Sequence, residues 1–149
     1  MSSELSSPAE PSAEPPLLTN HEDYLLQQLV EFANAGALSA GITLQMGGFL
    51  VTGTLIAADT YFDKFADLVV NGAAEGSTGL ELVRTAFASF GDRYREARMD
   101  DGPALTGNTA YIHLENCTFY TPSGSFSFKA LWRGRIAQAD GFFLGLLSH

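Results

Sequence analysis

Apolar residues near the start of the chain recur at helical spacing. They are Leu25, Leu26, Leu29, Val30 and Phe32. Together they form one side of an amphipathic helix. Thr19 or Asn20, with an acidic residue three positions on, indicates a capping box at the start of this helix. Asn34 to Gly36 predicts its end, because Asn and Gly favour the backbone conformation that terminates helices.

The pattern then changes to alternation. Apolar and polar residues alternate over 42–46, Gly47-Gly48 follows, and 49–56 is again strand-like. This order predicts a β-hairpin with a tight turn at the two glycines. Gly53 lies inside the second strand, where glycine is typical of a bulge or a sharp bend.

A helical insertion is predicted over about 59–98. Tyr61, Phe65, Leu68 and Val69 share one side of its first helix, and a glycine-containing break spans 71–79. A second long helix is predicted over 80–98.

Strand patterns dominate the last third of the chain. The predicted strands are 111–120, 125–133, 135–139 and 142–147, with turns at 121–124 and 140–141. A helix, a hairpin, a helical insertion and a β-meander make an α+β fold. We expect about five short strands in a strongly bent antiparallel sheet or a small barrel.

Residues 1–18 differ in composition from the rest. This segment is rich in Ser, Pro and Glu and contains few apolar side chains. Burial of so few side chains would not offset the entropy of ordering, so a disordered acidic tail is predicted. Residues 19–149 are expected to form a single domain.

The charge of the chain argues against nucleic acid as a partner. The formal net charge is −9, and no Lys or Arg precedes Lys64. Such a chain repels phosphate backbones. Arg93, Arg95 and Arg98 form one basic cluster, but nearby acidic residues indicate a solvated, internally paired helix end.

The location of the protein is predicted from what the sequence lacks. The first residues show no signal peptide, and no uncharged apolar stretch approaches the length of a membrane span. Cys117 is alone, so an intrachain disulfide is impossible, which suits a reducing compartment. A cytoplasmic protein without membrane contact is expected.

The sequence contains no recognisable catalytic motif. His113 and Cys117 are four residues apart, a spacing that places both on one face of a regular strand. A Cys–His pair is therefore conceivable, although two neighbours on a half-buried face are the commoner result. One cysteine and scattered histidines cannot supply a zinc site, and Gly47-Gly48 lacks the residues of a phosphate-binding loop. We predict no metal, no cofactor and no enzymatic activity.

The carboxy-terminal part resembles a known family. Tyr111–Asn116 and the segment Trp132–Gly145 are similar to the gas vesicle protein U family, as are 41–56 and 61–63. The resemblance covers roughly 24–147. It implies a gas vesicle accessory protein without enzymatic activity, which assists shell formation or clusters vesicles, with shell proteins as partners.

The segment that carries the resemblance supplies the candidate interaction residues. They are Trp132, Arg133, Gly134, Arg135, Gly141, Phe142, Phe143 and Gly145. The aromatic side chains fit a core or a subunit interface, and the glycines fit turns or bulges. The arginines flank the sheet face or pair with the acidic helix, and contact with an acidic shell surface is the alternative. Because Phe142 and Phe143 are adjacent in a strand, one is expected to face inward and the other outward.

A second resemblance concerns the fold. The first helix, the hairpin with Gly47 and Gly53, and Arg133-Gly134 near the last strands resemble the Sm-like barrel. This resemblance implies a ring or another homo-oligomer formed through edge strands. A ring that binds RNA or a small ligand is the alternative function, although the acidic charge and the missing RNA-binding loops weigh against it.

Overall fold

The computed structural model describes residues 23–101 and 109–148. Within them lie helices α1 (Tyr24–Asn34), α2 (Ala58–Asn71), α3 (Leu80–Ser89) and α4 (Asp92–Asp101). The strands are β1 (Ala40–Met46), β2 (Phe49–Leu55), β3 (Tyr111–Thr121), β4 (Gly124–Arg135) and β5 (Gly141–Leu144), with a 3-10 turn at Ile136–Gln138. The predicted tail, 1–18, lies outside the described residues.

The five strands form one antiparallel sheet in the order β4-β3-β2-β1-β5. The α+β class, the hairpin and the placement of the helices between β2 and β3 are confirmed. The predicted closed Sm-like barrel is wrong, because the sheet stays open and β4 and β5 form its two edges.

The predicted β-meander is also wrong. Residues 135–139 do not form a strand of their own, because β4 ends at Arg135 and the buried Ile136 begins the 3-10 turn. The Ile136 N–H donates to the Ala110 carbonyl. The Asp140 N–H then donates to the Gln45 carbonyl, which directs the chain to β1. β5 consequently pairs with β1, at the opposite edge from β4.

Helix α1 covers one face of the sheet. Leu26, Val30 and Ala33 lie on one line along the helix and are almost fully buried. The buried face of α1 differs from the predicted one, because Leu25 is 62% exposed and Phe32 is 38% exposed. These three buried side chains join a core with two residues each from β1 and β2, three from β3 and one from the 3-10 turn: Ile42, Leu44, Val51, Leu55, Ile112, Leu114, Cys117 and Ile136.

The cap of α1 is Asp23, whose side chain accepts a hydrogen bond from the Leu26 N–H. The predicted caps Thr19 and Asn20 lie outside the described residues. Asp23 satisfies a backbone donor that the first helical turn leaves free, as capping carboxylates do.

A bulge lies where β2 meets β3. Thr52 pairs with Thr118 and Thr54 with Glu115, so Gly53 faces two residues of β3 rather than one. Asn116 adopts a left-handed backbone (φ 56°) that accommodates the extra residue. The prediction of a bulge or bend at Gly53 is confirmed.

The helical insertion occupies the other face of the sheet. Tyr61 of α2 packs on His113, whereas the neighbouring Leu114 faces the core under α1. The predicted single helix over 80–98 is two helices, because the chain turns at Phe90-Gly91. Gly91 approaches the Asp59 backbone so closely that a Cβ there would lie 2.8 Å from the Asp59 Cα.

A buried carboxylate joins the helices. Asp59, 6% exposed, accepts hydrogen bonds from both terminal nitrogens of Arg98 and pairs with Arg95. Arg98 also donates to the Asn34 carbonyl, at the end of α1. Burial alone would raise the pKa of Asp59, but the hydrogen bond and charge of Arg98 outweigh it, and the pKa lies below its ordinary value.

Substitution of Gly53 tests the bulge. A Cβ at this position would lie 2.9 Å from the Glu115 carbonyl oxygen and 3.0 Å from the Cys117 Sγ. Gly53→Ala should therefore lower the free energy of unfolding by about 1–3 kcal/mol in urea titrations. Gly48→Ala, in the same hairpin, is the control, since its Cβ would meet nothing within 4 Å. Equal stability of the two variants would contradict this account of the bulge.

Candidate interaction surfaces

The segment that carries the family resemblance is divided between the two edges of the sheet. Trp132 to Arg135 belong to β4, and Gly141 to Leu144 form β5. Three strands separate them in the sheet. The eight candidate residues thus form two edge surfaces rather than one patch.

Trp132 packs on the core from β4 and is partly buried. Its ring lies directly against Gly134, so that a Cβ at Gly134 would overlap the indole. Because residues two apart in a strand share a face, glycine at 134 leaves room for the ring to fold over the backbone. These two residues therefore form a single packing unit.

Arg133 and Arg135 point to the face opposite Trp132 and both are exposed. The Arg133 guanidinium lies 3.7 Å from the centroid of the Tyr111 ring, and its Nε donates to His113 Nε2 at 3.2 Å. Neither arginine forms an ion pair within the described residues.

The two phenylalanines of β5 face opposite ways, as predicted. Phe142 packs on the core, whereas Phe143 is 49% exposed. Gly141 pairs with Gln45 and has open space around it.

The chain after β5 folds back over the sheet. Gly145 has a left-handed backbone (φ 114°), and its carbonyl accepts a hydrogen bond from Thr43. The Leu147 N–H donates to Thr52, and its carbonyl accepts from the Tyr120 hydroxyl. Glycine at 145 permits the turn that starts this return.

Both edges expose apolar side chains. About half or more of each is accessible: Phe126 on β4, and Phe143, Leu144 and Leu146 on and after β5. Unpaired backbone groups next to apolar side chains can pair with another strand.

A further surface is a pocket of about 660 Å³ between α2, α3, α4 and β4. Six aromatic residues line it together with Ser89, Arg93 and Arg133: Tyr61, Phe62, Phe65, Phe87, Phe90 and Tyr94. Its rings contact one another mostly edge to face, with centroids 5.3–5.8 Å apart for Phe65–Phe87, Phe62–Phe90 and Phe87–Phe90. Such contacts stabilise aromatic clusters.

Two cations, Arg93 and Arg133, line this pocket, and no carboxylate of the described residues lies within ion-pair distance of either. Arg93 is exposed and forms no ion pair in the described part of the chain, as is also true of Arg133. Arg95 and Arg98 are paired with Asp59, Asp63 and Asp92, and because two of these acids lie on α2, the pairing joins two helices rather than forming the predicted self-paired helix end. Arg93 differs from its two neighbours in this respect.

His113 lies beneath the pocket and is 2% exposed. Burial and the nearby Arg133 charge lower its pKa to about 3. Since Nε2 accepts from Arg133, the neutral ring carries its proton on Nδ1, which has no hydrogen-bond partner among the described residues.

The conceivable His113–Cys117 pair is wrong. The bulge at Asn116 reverses the alternation, so Cys117 joins the core under α1 while His113 faces α2. Burial raises the pKa of Cys117 to about 12, which keeps the thiol protonated.

Residues 23–101 and 109–148 contain neither a candidate metal site nor a candidate membrane span. No group of three or more His, Cys, Asp or Glu side chains is arranged to hold a metal ion there. In the same residues no helix combines the length and apolar character needed to cross a membrane.

Sequence reasoning missed the pocket. It assigned Tyr61 and Phe65 to a helix face and treated Arg93 as part of a paired cluster. The available signal was the concentration of aromatic residues in the insertion, where Phe62, Phe87 and Phe90 accompany them. Aromatic residues of that number on short helices form a cluster of their own because one sheet face cannot bury them all.

The fold is of the α+β class: an open antiparallel sheet with α1 on one face and the helical insertion on the other. A family model described as "Gas vesicle protein GvpU-like" matches residues 23–147. Because the match covers most of the chain, the protein belongs to the GvpU-like family of gas vesicle proteins. Searches of curated proteins and of solved structures return no match.

The buried His113 predicts a stability that depends on pH. An unfolded histidine binds a proton below its ordinary pKa of 6.5, but the folded protein resists protonation until about pH 3. The contribution of neutral His113 to the free energy of unfolding should therefore be fully present above about pH 6.5. It should decrease as the pH falls below this value. Urea titrations should show a loss of about 2 kcal/mol at about pH 5.

His113→Gln is the control for this prediction, since it removes the titrating group. Its stability should change much less between neutral pH and about pH 5. Asp59 does not contribute in this range, because its ordinary pKa is 3.8 and the folded value is lower. A wild-type pH dependence equal to that of His113→Gln would contradict the assignment.

Proposed function

We propose that this protein is a non-enzymatic gas vesicle accessory protein that self-associates and binds the vesicle shell. In this role it assists shell assembly or holds vesicles together in the cytoplasm. The membership in the GvpU-like family supports the gas vesicle context. The open sheet with two apolar edges supports the mode of action.

The edge strands β4 and β5 favour self-association. Among the described residues β4 pairs only with β3, and β5 only with β1, so each edge strand leaves one row of backbone groups without a sheet partner there. An edge of one copy can add to the other edge of the next copy through main-chain hydrogen bonds. This head-to-tail contact would bring Trp132–Arg135 of one copy beside Gly141–Leu144 of the next.

Side chains at the edges favour the same contact. Phe126 on β4 and Phe143 on β5 are each about half exposed, at 52% and 49%. Burial of apolar surface against a second copy stabilises a complex by roughly 25 cal/mol per Å². The exposed Leu144 and Leu146 extend this apolar surface beyond Phe143.

The repeated subunits of the vesicle shell favour binding by a self-associated protein. A vesicle shell presents the same subunit surface many times, so a self-associated protein can engage several subunits at once. Linked weak contacts of this kind raise the overall affinity well above that of one contact. Self-association and shell binding are therefore expected to reinforce each other.

Alanine substitutions of the two phenylalanines of β5 should have different effects, one on stability and the other on self-association. Phe142→Ala should lower the free energy of unfolding by about 3 kcal/mol, because its ring packs on the core. Phe143→Ala should leave the thermal midpoint near that of the wild type and reduce the mass measured by light scattering. If both variants keep wild-type stability and mass, β5 is neither core nor interface.

Self-association itself is tested with a charge on the edge. The wild type should scatter as a particle heavier than the 16.0 kDa chain at tens of micromolar. Phe143→Lys should shift it toward the monomer, because an isolated charge is costly to bury. Leu82→Lys is the matched control, since Leu82 is 74% exposed and belongs to α3 rather than to an edge strand. A wild-type monomer would exclude the assembly model.

Shell binding is measured by co-flotation with purified gas vesicles. The wild type and Leu82→Lys should float with the vesicles, and Phe143→Lys should stay largely in the soluble fraction. If the wild type fails to float, the protein does not bind the shell. If Phe143→Lys is monomeric but floats fully, self-association is not needed for shell binding.

A further inference from the structure

The apolar wall of the aromatic pocket is fixed by contacts within the chain. Phe65 of α2 meets Phe87 of α3 edge to face, and Phe62 meets Phe90 in the same way. Because these rings hold one another in place, the cavity between them is preformed, as small-molecule sites usually are. Its volume of about 660 Å³ also lies in the range of such sites.

The guanidinium of Arg133 is held in one orientation at this pocket. Its plane lies 3.7 Å from the centroid of the Tyr111 ring, and its Nε donates to His113 Nε2. Neither contact uses the two terminal nitrogens, which form no hydrogen bond or ion pair with the described residues. A fixed guanidinium with both terminal nitrogens unoccupied suits a two-point contact with an anionic group.

Tyr61 adds a polar group to the same pocket. The side chain is 7% exposed and lines the pocket, and its hydroxyl has no hydrogen-bond partner among the described residues. Burial raises the pKa of Tyr61, although the charge of Arg133 opposes this, so the hydroxyl stays protonated at neutral pH. A hydroxyl without a partner on a largely buried side chain is a donor that a bound ligand can satisfy.

The charge of the pocket contrasts with that of the whole chain. The formal net charge of −9 repels anions from most of the surface, whereas Arg93 and Arg133 place two cations at one cavity. A neutral apolar ligand would leave these donors without partners, and an organic cation would be repelled. The best complement is a molecule with one anionic group and an apolar body.

We propose that the aromatic pocket binds a small organic acid, whose anionic group pairs with Arg93 and Arg133 and accepts a hydrogen bond from the Tyr61 hydroxyl. The body of the ligand, an aryl ring system or an alkyl chain, packs against the phenylalanine rings. A small molecule fits better than a polypeptide, because three helices and one strand surround a single cavity, whereas peptides bind in extended grooves or along sheet edges. This inference does not depend on self-association or on vesicle binding.

Fluorescence titration of the full-length chain tests the proposal with two probes that share the same rings. Anilinonaphthalene sulfonate carries an anionic group, and phenylnaphthylamine lacks it. The wild type should bind the sulfonate probe at least about tenfold more tightly, because hydrogen bonds to a charged group contribute about this factor. Octanoate should displace the bound sulfonate probe, and octanol at the same concentration should displace much less of it.

Three substitutions locate the bound anion. Arg93→Gln and Arg133→Gln should each weaken the sulfonate probe about tenfold, and Tyr61→Phe, which keeps the ring, about threefold. Arg135→Gln is the matched control, since it removes the same charge from an exposed residue of β4 that does not line the pocket. Its affinity should equal that of the wild type. Arg93→Gln decides the test if loss of the Arg133 contacts destabilises the fold.

Three outcomes would overturn the proposal. Equal affinity of the wild type for both probes means that the pocket does not recognise an anion. If Arg93→Gln binds the sulfonate probe no more weakly than Arg135→Gln does, any effect of charge is general rather than local. If Arg93→Gln keeps the wild-type probe affinity but no longer floats with gas vesicles, the pocket contacts the shell instead of a small acid.

Discussion

The extra residue opposite Gly53 decides which side chains face which helices. A regular β3 would direct His113 and Cys117 to the same face, but the bulge at Asn116 sends Cys117 into the core under α1 and leaves His113 against α2. Only glycine fits beside the Glu115 carbonyl at this point. Both faces of the sheet thus obtain apolar contacts, and each packs its own helical layer.

The helical layer on the second face is attached by polar as well as apolar contacts. Asp59 holds Arg98 and Arg95, and Arg98 reaches the end of α1, so one carboxylate connects the helices around the sheet. A buried pair of this kind fixes geometry more than it adds stability. With Arg95 and Arg98 engaged there, Arg93 is left beside the aromatic pocket.

The fold class was predictable because hydrophobic period and glycine turns are local signals. The hairpin at Gly47-Gly48 and the bulge at Gly53 follow from them. The course of the chain after Ile136 was not predictable from the sequence. The pairing of β5 with β1 depends on contacts between residues far apart in sequence, such as Asp140 with Gln45. The pocket was missed for the same reason: its rings come from three helices whose packing no single periodicity describes.

The backbone at Lys129 has a consequence for the long-term solubility of the protein. Lys129 has a left-handed backbone (φ 54°), and the pairing with β3 shifts there between Ala130 and Ser127. The irregularity at the charged residue Lys129 therefore divides the outer edge of β4 into two short segments, so that its twelve residues do not form one flat strand. Ordered stacking into amyloid requires a continuous flat edge, so this irregularity opposes such stacking at the open edge of the sheet.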